Sequence, residues 1–305
     1  MTTPQPGIFA LGTRYHHHLE FDLRPGATDA AVVEALAAFD QSHVTGGGTN
    51  LVVGFGPALW GRLAAGRPVP ADLQPYEALE SAAGHRLPAT QHDLWVWVHG
   101  SGLDTVFDVA QAVAAAADPI ATVAVDCPSF VYHDSRDLTG FIDGTANPAP
   151  AEAPPVACVP DGLPGAGGSH VVAQRWIHDL AAFGALPVAE QERVFGRTKP
   201  DSVALPAEVR PADAHISRAE VLAADGEERE IYRRSTPFGT VSEQGLYFVA
   251  FSAEQDRFAA MLRQMYGLDG SGVTDRLLGF STPVTGSYYF APSLEELRDA
   301  GVPVG

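Results

Sequence analysis

The chain has 305 residues, 46% apolar and 18% charged, which is ordinary for a globular protein and excludes a largely disordered one. That length is too great for one average domain and sufficient for two, each with its own core. A formal charge of −18 excludes a nucleic-acid partner held by a basic footprint and favours cationic or neutral substrates at long range, while leaving room for a local basic pocket around an anionic cofactor.

From the start of the chain, MTTPQPGIFALG has neither the basic n-region nor the apolar h-region of a signal peptide, and no apolar run approaches the roughly 18 residues that cross a bilayer. A cytoplasmic protein without a membrane partner is expected. RYHHHLEFDL (14–23) alternates, so that Tyr15, His17, Leu19, Phe21 and Leu23 share one face of a strand and His16, His18 and Glu20 share the other. Only His16 and His18 of the histidine triplet can converge, too few for a metal centre. A helix near 28–41 follows, with Thr28 as N-cap and Val32, Leu36 and Phe39 at helical spacing, then a turn at Gly46–Gly48 and a strand at 51–55. The glycines here fit neither G-x-G-x-x-G nor a P-loop. Past a Pro-rich stretch at 66–90, LWVWVHG (94–100) reads as a strand, 104–117 as a helix capped by Asp104, and TVAVDC (122–127) as a closing strand.

NPAPAEAPPVACVPDGLPGAGG (147–168) is predicted to be a loop over the surface or over a pocket, because its prolines and glycines suit neither a regular helix nor a central strand. Beyond it the strand–helix order repeats more loosely. Strands are predicted at 168–178, 245–252 and 287–292, with helices at 189–195 and 253–266, the second striped by Phe258, Met261, Leu262 and Met265 and ended by Gly267. Strand-plus-helix 94–117 matches 245–266, which implies a duplicated ferredoxin-like unit of α+β class with antiparallel sheets. The division expected is an N-terminal lobe at 1–139, a loop and linker at 140–168, and a C-terminal lobe at 169–305. Cys127 and Cys158, without CxxC pairing, read as small semi-buried side chains rather than a zinc or disulfide framework.

Three segments carry candidate chemistry. GFIDGTANP (140–148) sets Asp143 in a loop whose glycines let backbone approach a ligand, although an Asx-type turn is the plain alternative. DAHISRAE (213–220) holds a lone histidine, His215, and IYRRSTPFG (231–239) brings Arg233, Arg234 and Ser235 before a turn. Each alone fits a structural role.

Taken together and in this order, these segments resemble the dye-decolorising peroxidases of the B-type branch. GFIDGTANP is similar to that family's G-F-x-D-G-x-x-N signature, and the likeness runs through RYHHHLEFDL, VTGGGTNLVVGFG, LWVWVHG, VVAQRWIHDL, GRTK (196–199) and DRLLGFST (275–282), nearly the whole chain. The resemblance implies a haem peroxidase with one haem b held mainly by the C-terminal lobe, and hydrogen peroxide and an organic electron donor as partners. It assigns His215 as the axial iron ligand, Asp275 as the carboxylate on its imidazole, and Arg197 as the partner of a haem propionate. Phe248 is placed among the haem contacts, and Asp143, Arg233 and Ser235 on the peroxide side. Ser235 stands where these relatives commonly have Asn. Family precedent implies a homo-oligomer. The tail LEELRDAGVPVG, without a long extension of the encapsulin-addressing kind, implies a free cytosolic enzyme.

The residue types suit those roles. An imidazole bonded through its second nitrogen to a carboxylate is a more basic iron ligand, a carboxylate can move a proton between peroxide oxygens, and a permanent guanidinium can stabilise charge on the leaving oxygen. Electrons would pass from bulky donors through a surface Tyr or Trp, the candidates being Trp60, Trp95, Trp97, Trp176, Tyr247, Tyr288 and Tyr289. Two other readings are a haem carrier or iron-releasing protein, which needs no charged peroxide site, and a colourless cofactor-free binding module.

Overall fold

The computed structural model describes residues 2–39, 48–64, 66–223 and 226–302. The strands in the described residues are β1 Tyr15–Leu23, β2 Asn50–Phe55, β3 Leu79–Glu80, β4 Arg86–Leu87, β5 Leu94–Gly100 and β6 Ala121–Phe130, then β7 Ser169–His178, β8 Tyr232–Arg233, β9 Thr236–Gly239, β10 Gln244–Ser252, β11 Ser281–Pro283 and β12 Ser287–Ala291. The main sheet runs β6-β1-β5-β2-β12-β7-β10-β8, with β9 added to β10 and β11 to β7. Read in halves, the order is fourth, first, third and second strand of a unit, twice over. This is a duplicated ferredoxin-like α+β fold, its halves joined where Phe55 of β2 meets Phe290 of β12.

The sheet halves also face one another across a shared core in which Trp95, Trp97 and Cys127 meet Val171, Tyr247, Phe251 and Tyr289. Both faces of β1 are therefore buried. Leu19 and Phe21 face outward under helices Asp29–Ala37 and Leu103–Ala117, while His16, His18 and Glu20 point into the seam. There the His18 ring stacks on Tyr247 at 3.9 Å, Trp97 Nε1 donates to His16 Nδ1 at 3.1 Å, and Tyr247 Oη donates to Glu20 at 2.9 Å. His16 and His18 belong to this packing, while His17 Nε2 meets Asp126 Oδ1 on the other face.

Most predicted strand ends fall within a residue of those observed, but β6 continues to Phe130 because Tyr15–His18 of β1 pair with Cys127–Phe130. Thr28 caps its helix, accepting from Ala31 N at 3.2 Å; positions 40, 41, 46 and 47 of the predicted helix end and turn lie outside the described residues. Asp104 does not cap the next helix. Gly102 does, with extended backbone and its carbonyl on Val106 N, while Asp104 lies inside the first turn and accepts from Thr105 N at 2.9 Å, where an acid suits the helix dipole. The 147–168 stretch is not purely loop either. Ala153–Ala157 is a helical turn with proline in its opening positions, where no backbone donor is needed, and Ala153 and Ala157 are fully buried.

The aromatic candidates for a surface relay are all buried, none of Trp60, Trp95, Trp97, Trp176, Tyr247, Tyr288 and Tyr289 exceeding 7% exposure. Composition could count these rings, but only packing tells which side of the sheet each occupies. Among the described residues no helix is long and apolar enough to cross a membrane.

Candidate active site

One cavity opens on the outward face of the second half-sheet. Strand periodicity brings Gln174, Trp176 and His178 of β7 and Leu246 and Phe248 of β10 to that face, and Met261, Leu262 and Met265 of helix Asp256–Met265 close one side. Asp143, Arg197, His215 and Arg233 line the same cavity, so residues far apart in sequence converge there, and Phe248 joins them.

His215 opens the five-residue helix His215–Ala219. Its Nδ1 bonds Asp275 Oδ2 at 2.7 Å, and among the described residues its Nε2 has no hydrogen-bond partner. The carboxyl of Asp275 is buried and is itself held by Leu277 N at 2.8 Å, which fixes the imidazole through two links. Helix Val188–Phe195 packs alongside, ending on Gly196 at φ 78°; a Cβ there would come within 2.4 Å of Ile216 Cγ2.

Sequence reasoning missed a second histidine in the cavity, His178. Its Nδ1 meets Ser281 Oγ at 2.8 Å and its Nε2 meets Asp137 Oδ1 at 3.1 Å, so both nitrogens are engaged and its side chain is 6% exposed, against 33% for His215. Of the two, His215 alone presents a free nitrogen. The alternation Gln174, Trp176, His178 was the available signal for the side His178 faces. Among the described residues no three His, Cys, Asp or Glu side chains gather as a bare-metal site.

The glycines of GFIDGTANP have definite work. Gly140 and Gly144 take φ of 91° and 77°, and a Cβ on Gly140 would lie 2.7 Å from Lys199 Cε. Asp143 Oδ1 accepts from Gly144 N at 2.7 Å. Burial pushes the Asp143 carboxyl above its ordinary range, the Arg233 charge opposing and the Asp137 carboxylate assisting. Asp137 shifts the opposite way, since bonds from His178 and Thr139 outweigh its own burial. Asn147 ends the motif by clamping Arg233: its Nδ2 donates to Arg233 O at 2.8 Å and its Oδ1 accepts from Arg233 N at 2.9 Å. The Arg233 guanidinium makes no hydrogen bond among the described residues and remains available to a ligand.

Arg197 donates to Ser202 O at 2.9 Å and lines the cavity together with Glu220 and Glu228. Ser235 is the exception. It lines an adjoining cavity instead, and its Oγ lies 3.3 Å from Val249 N and 3.4 Å from Val249 O. Among the described residues the cavity thus brings together a ring nitrogen without a hydrogen-bond partner, a carboxyl held above its ordinary range and a guanidinium without a hydrogen bond, alongside Arg197, Asp137, Glu220 and Glu228.

Residues 5–128 match the family description "Dyp-type peroxidase, N-terminal" and residues 134–296 match "Dyp-type peroxidase, C-terminal". The chain is 40% identical over 253 residues to a dye-decolorizing peroxidase of Mycolicibacterium paratuberculosis, covering 82% of this chain and 71% of that protein. It superposes on the encapsulated DyP-type peroxidase of Mycobacterium smegmatis with a TM-score of 0.91 at 32% identity, covering all of both chains. A variant of DypB from Rhodococcus jostii RHA1 in complex with heme gives 0.87 at 31%, covering 94% of this chain and 96% of that one.

Proposed function

The chain belongs to the Dyp-type peroxidase family, and from that premise we propose that its large cavity is a haem b site with His215 as the iron ligand and Asp143 and Arg233 as the pair that handles peroxide. The protein is a haem peroxidase, reducing hydrogen peroxide and oxidising organic donors such as dyes and phenolics in one-electron steps. The residues present fit the cofactor. His215 offers a ring nitrogen oriented by the bond from Nδ1 to Asp275, Phe248, Leu246 and Met265 supply apolar wall, and Arg197 suits a propionate carboxylate. One observation carries the assignment: of two cavity histidines, each beside a carboxylate, only His215 keeps a ring nitrogen free.

Haem held here would supply iron for one-electron redox chemistry with peroxide and donors. Asp275 accepts from His215 Nδ1–H, which sets the tautomer and leaves the Nε2 lone pair for the metal. Asp143 takes the proton from one peroxide oxygen and delivers it to the other, and its raised pKa brings it nearer the working range of a general acid and base. Arg233 orients the peroxide and balances negative charge on the leaving oxygen, its backbone fixed by Asn147. A haem carrier has no use for this acid–cation pair, which disfavours that reading.

We take the haem lobe to be residues 169–305, with 1–139 as the N-terminal lobe and 140–168 delivering Asp143 between them. We further propose a homo-oligomer free in the cytoplasm. One structural relative is encapsulated, so sedimentation of the purified enzyme with a protein shell would count against a free enzyme. The assignment is tested with His215→Ala, which should lose haem readily and change the ferric absorption spectrum. Full occupancy with an unaltered spectrum would contradict it.

A further inference from the structure

Between β6 and the helix Ala153–Ala157 the segment that carries Asp143 forms no helix or strand, only isolated bridges of Arg136 with Tyr132 and Ile142. The turn leading into it takes left-handed backbone at two residues other than glycine, His133 at φ 48° and Ser135 at φ 66°. Such backbone persists only where its surroundings hold it. It presents Ser135 O to Asp143 N at 2.9 Å. The holding group is the next residue, Arg136. Its Nε and Nη2 grip Asp134 Oδ1 and Oδ2 at 2.8 and 3.0 Å, Nη1 donates to Gly140 O at 2.8 Å and Lys199 O at 2.9 Å, and Nη2 donates to Pro200 O at 2.9 Å. Every guanidinium N–H is engaged. Arg136 is not part of the haem cavity wall; it lines a smaller cavity in the seam between the halves, together with Ser235.

We propose that Arg136 is a positioning residue for the peroxide reaction, anchoring the Asp143 segment to the loop that carries Arg197 and so fixing where the Asp143 carboxyl stands in the haem cavity. The proposal rests on the role given above to Asp143. The Arg197 loop can serve as anchor because it supports itself: Thr198 N donates to Val203 O at 2.8 Å, Leu205 N to Gly196 O at 2.8 Å, and Lys199 N to Glu192 Oε1 at 2.9 Å. The Asp143 segment has less of its own, and its other side-chain link to that loop is weaker, Thr145 Oγ1 lying 3.4 Å from Ser202 Oγ. Neighbouring cations do not duplicate the anchor. Lys199 Nζ donates to Gln191 Oε1 at 2.5 Å, and Arg234 donates to Ile8 O and Ala10 O, each at 2.7 Å. Lysine in place of Arg136 has three donors and no planar fork, so it cannot hold Asp134 on two oxygens and three carbonyls besides. Carbonyls of Gly140, Lys199 and Pro200 would then turn to water, and the segment would shift. A general acid–base group must lie within hydrogen-bond reach of the proton it moves, so a small displacement of Asp143 is felt in the rate.

The test compares haem-loaded, full-length wild type, Arg136→Lys, Asp143→Ala and the double variant by stopped-flow mixing with hydrogen peroxide. Arg136→Lys should keep haem and slow the reaction about tenfold, the scale expected of a slightly misplaced group. The double variant should be within about twofold of Asp143→Ala alone, because residues that act as one unit are not additive and the position of a missing carboxyl no longer matters. Hydrogen exchange of the same haem-loaded proteins supplies a readout apart from turnover. Arg136→Lys should speed amide exchange at 140–146, where Asp143 N is bonded to Ser135 O, and leave 197–205 unchanged. Guanidinium chloride at low, non-denaturing concentration should restore most of the rate to Arg136→Ala, and methylammonium should not. A wild-type rate in Arg136→Lys, a slowing that multiplies with that of Asp143→Ala, or equal rescue by methylammonium would overturn the inference and leave the peroxidase site standing. A wild-type rate in Asp143→Ala would instead remove the role on which the inference rests.

Discussion

In the first half-sheet the connection from β1 to β2 includes the helix Asp29–Ala37, whose Val32 and Leu36 are fully buried in the cluster that also holds Leu19, Phe21 and Val96. In the second half the matching connection, from β7 to β8, is about twice as long and breaks into three short helices, Leu180–Gly184, Val188–Phe195 and His215–Ala219. The strand faces differ accordingly. β1 presents Leu19 and Phe21 to its helices, whereas β7 presents Gln174, Trp176 and His178 to the wall of the cavity. Two copies of one topology diverge where the first crossover either closes on the sheet or splits away from it, and the split copy holds the site. The second crossover is retained in both, as Leu103–Ala117 and Asp256–Met265, and keeps each sheet anchored.

If function resides in the split half, substitutions there should alter the haem chemistry, while those in the closed half alter only stability. The largest effect short of haem loss is expected from Arg233→Leu. It removes a permanent charge from a confined site and should slow the peroxide reaction by about 10²–10³-fold with haem retained, measured by stopped-flow absorbance. Asp143→Ala should cost less, on the order of 10–100-fold, since water can move part of the proton that a general acid–base group would carry. It should also change the pH profile. The Asp143 pKa is raised and its ionised form is the one that accepts the proton, so the wild-type rate falls as pH drops through that pKa; the same limb should be missing in Asp143→Ala. A greater loss in Asp143→Ala than in Arg233→Leu at every pH would reverse the ranking.

Ser235→Asn should change the hydrogen peroxide rate only a few-fold, because Ser235 faces the seam cavity and bonds strand backbone rather than the haem cavity. A loss as large as that in Arg233→Leu would assign its hydroxyl a direct part in the reaction. Leu36→Ala, in the closed half, is expected to lower unfolding free energy by about 2–5 kcal/mol and leave the haem spectrum and peroxide rate unchanged. Altered haem chemistry in that variant would break the division between the halves.

Much of this architecture was legible from periodicity. The alternation of β1, the apolar runs of β5 and β10 and the stripe Phe258, Met261, Leu262, Met265 place the strands and anchoring helix, and the parallel between 94–117 and 245–266 exposes the duplication. Asp143, His215 and Arg233 were legible only as a set, through motif resemblance, because a lone His or Arg carries no periodic signal. The His178–Asp137 bond joins residues 41 positions apart, one of them in the patternless RDLTG, and so needed the fold to appear. The helices His215–Ala219 and Ala153–Ala157 are too short for any hydrophobic period. The direction of Ser235 depends on its pairing with Val249, which its neighbours in sequence do not encode.

A crystal structure of the haem-loaded chain tests the assignment most directly, since two carboxylate-bonded histidines line one cavity. The account predicts iron bonded to His215 Nε2, Asp275 still on Nδ1, His178 still joined to Asp137 and Ser281, and the Arg233 guanidinium beside the open coordination position. Iron bonded to His178 with its two existing bonds broken, or haem seated outside this cavity, would contradict it.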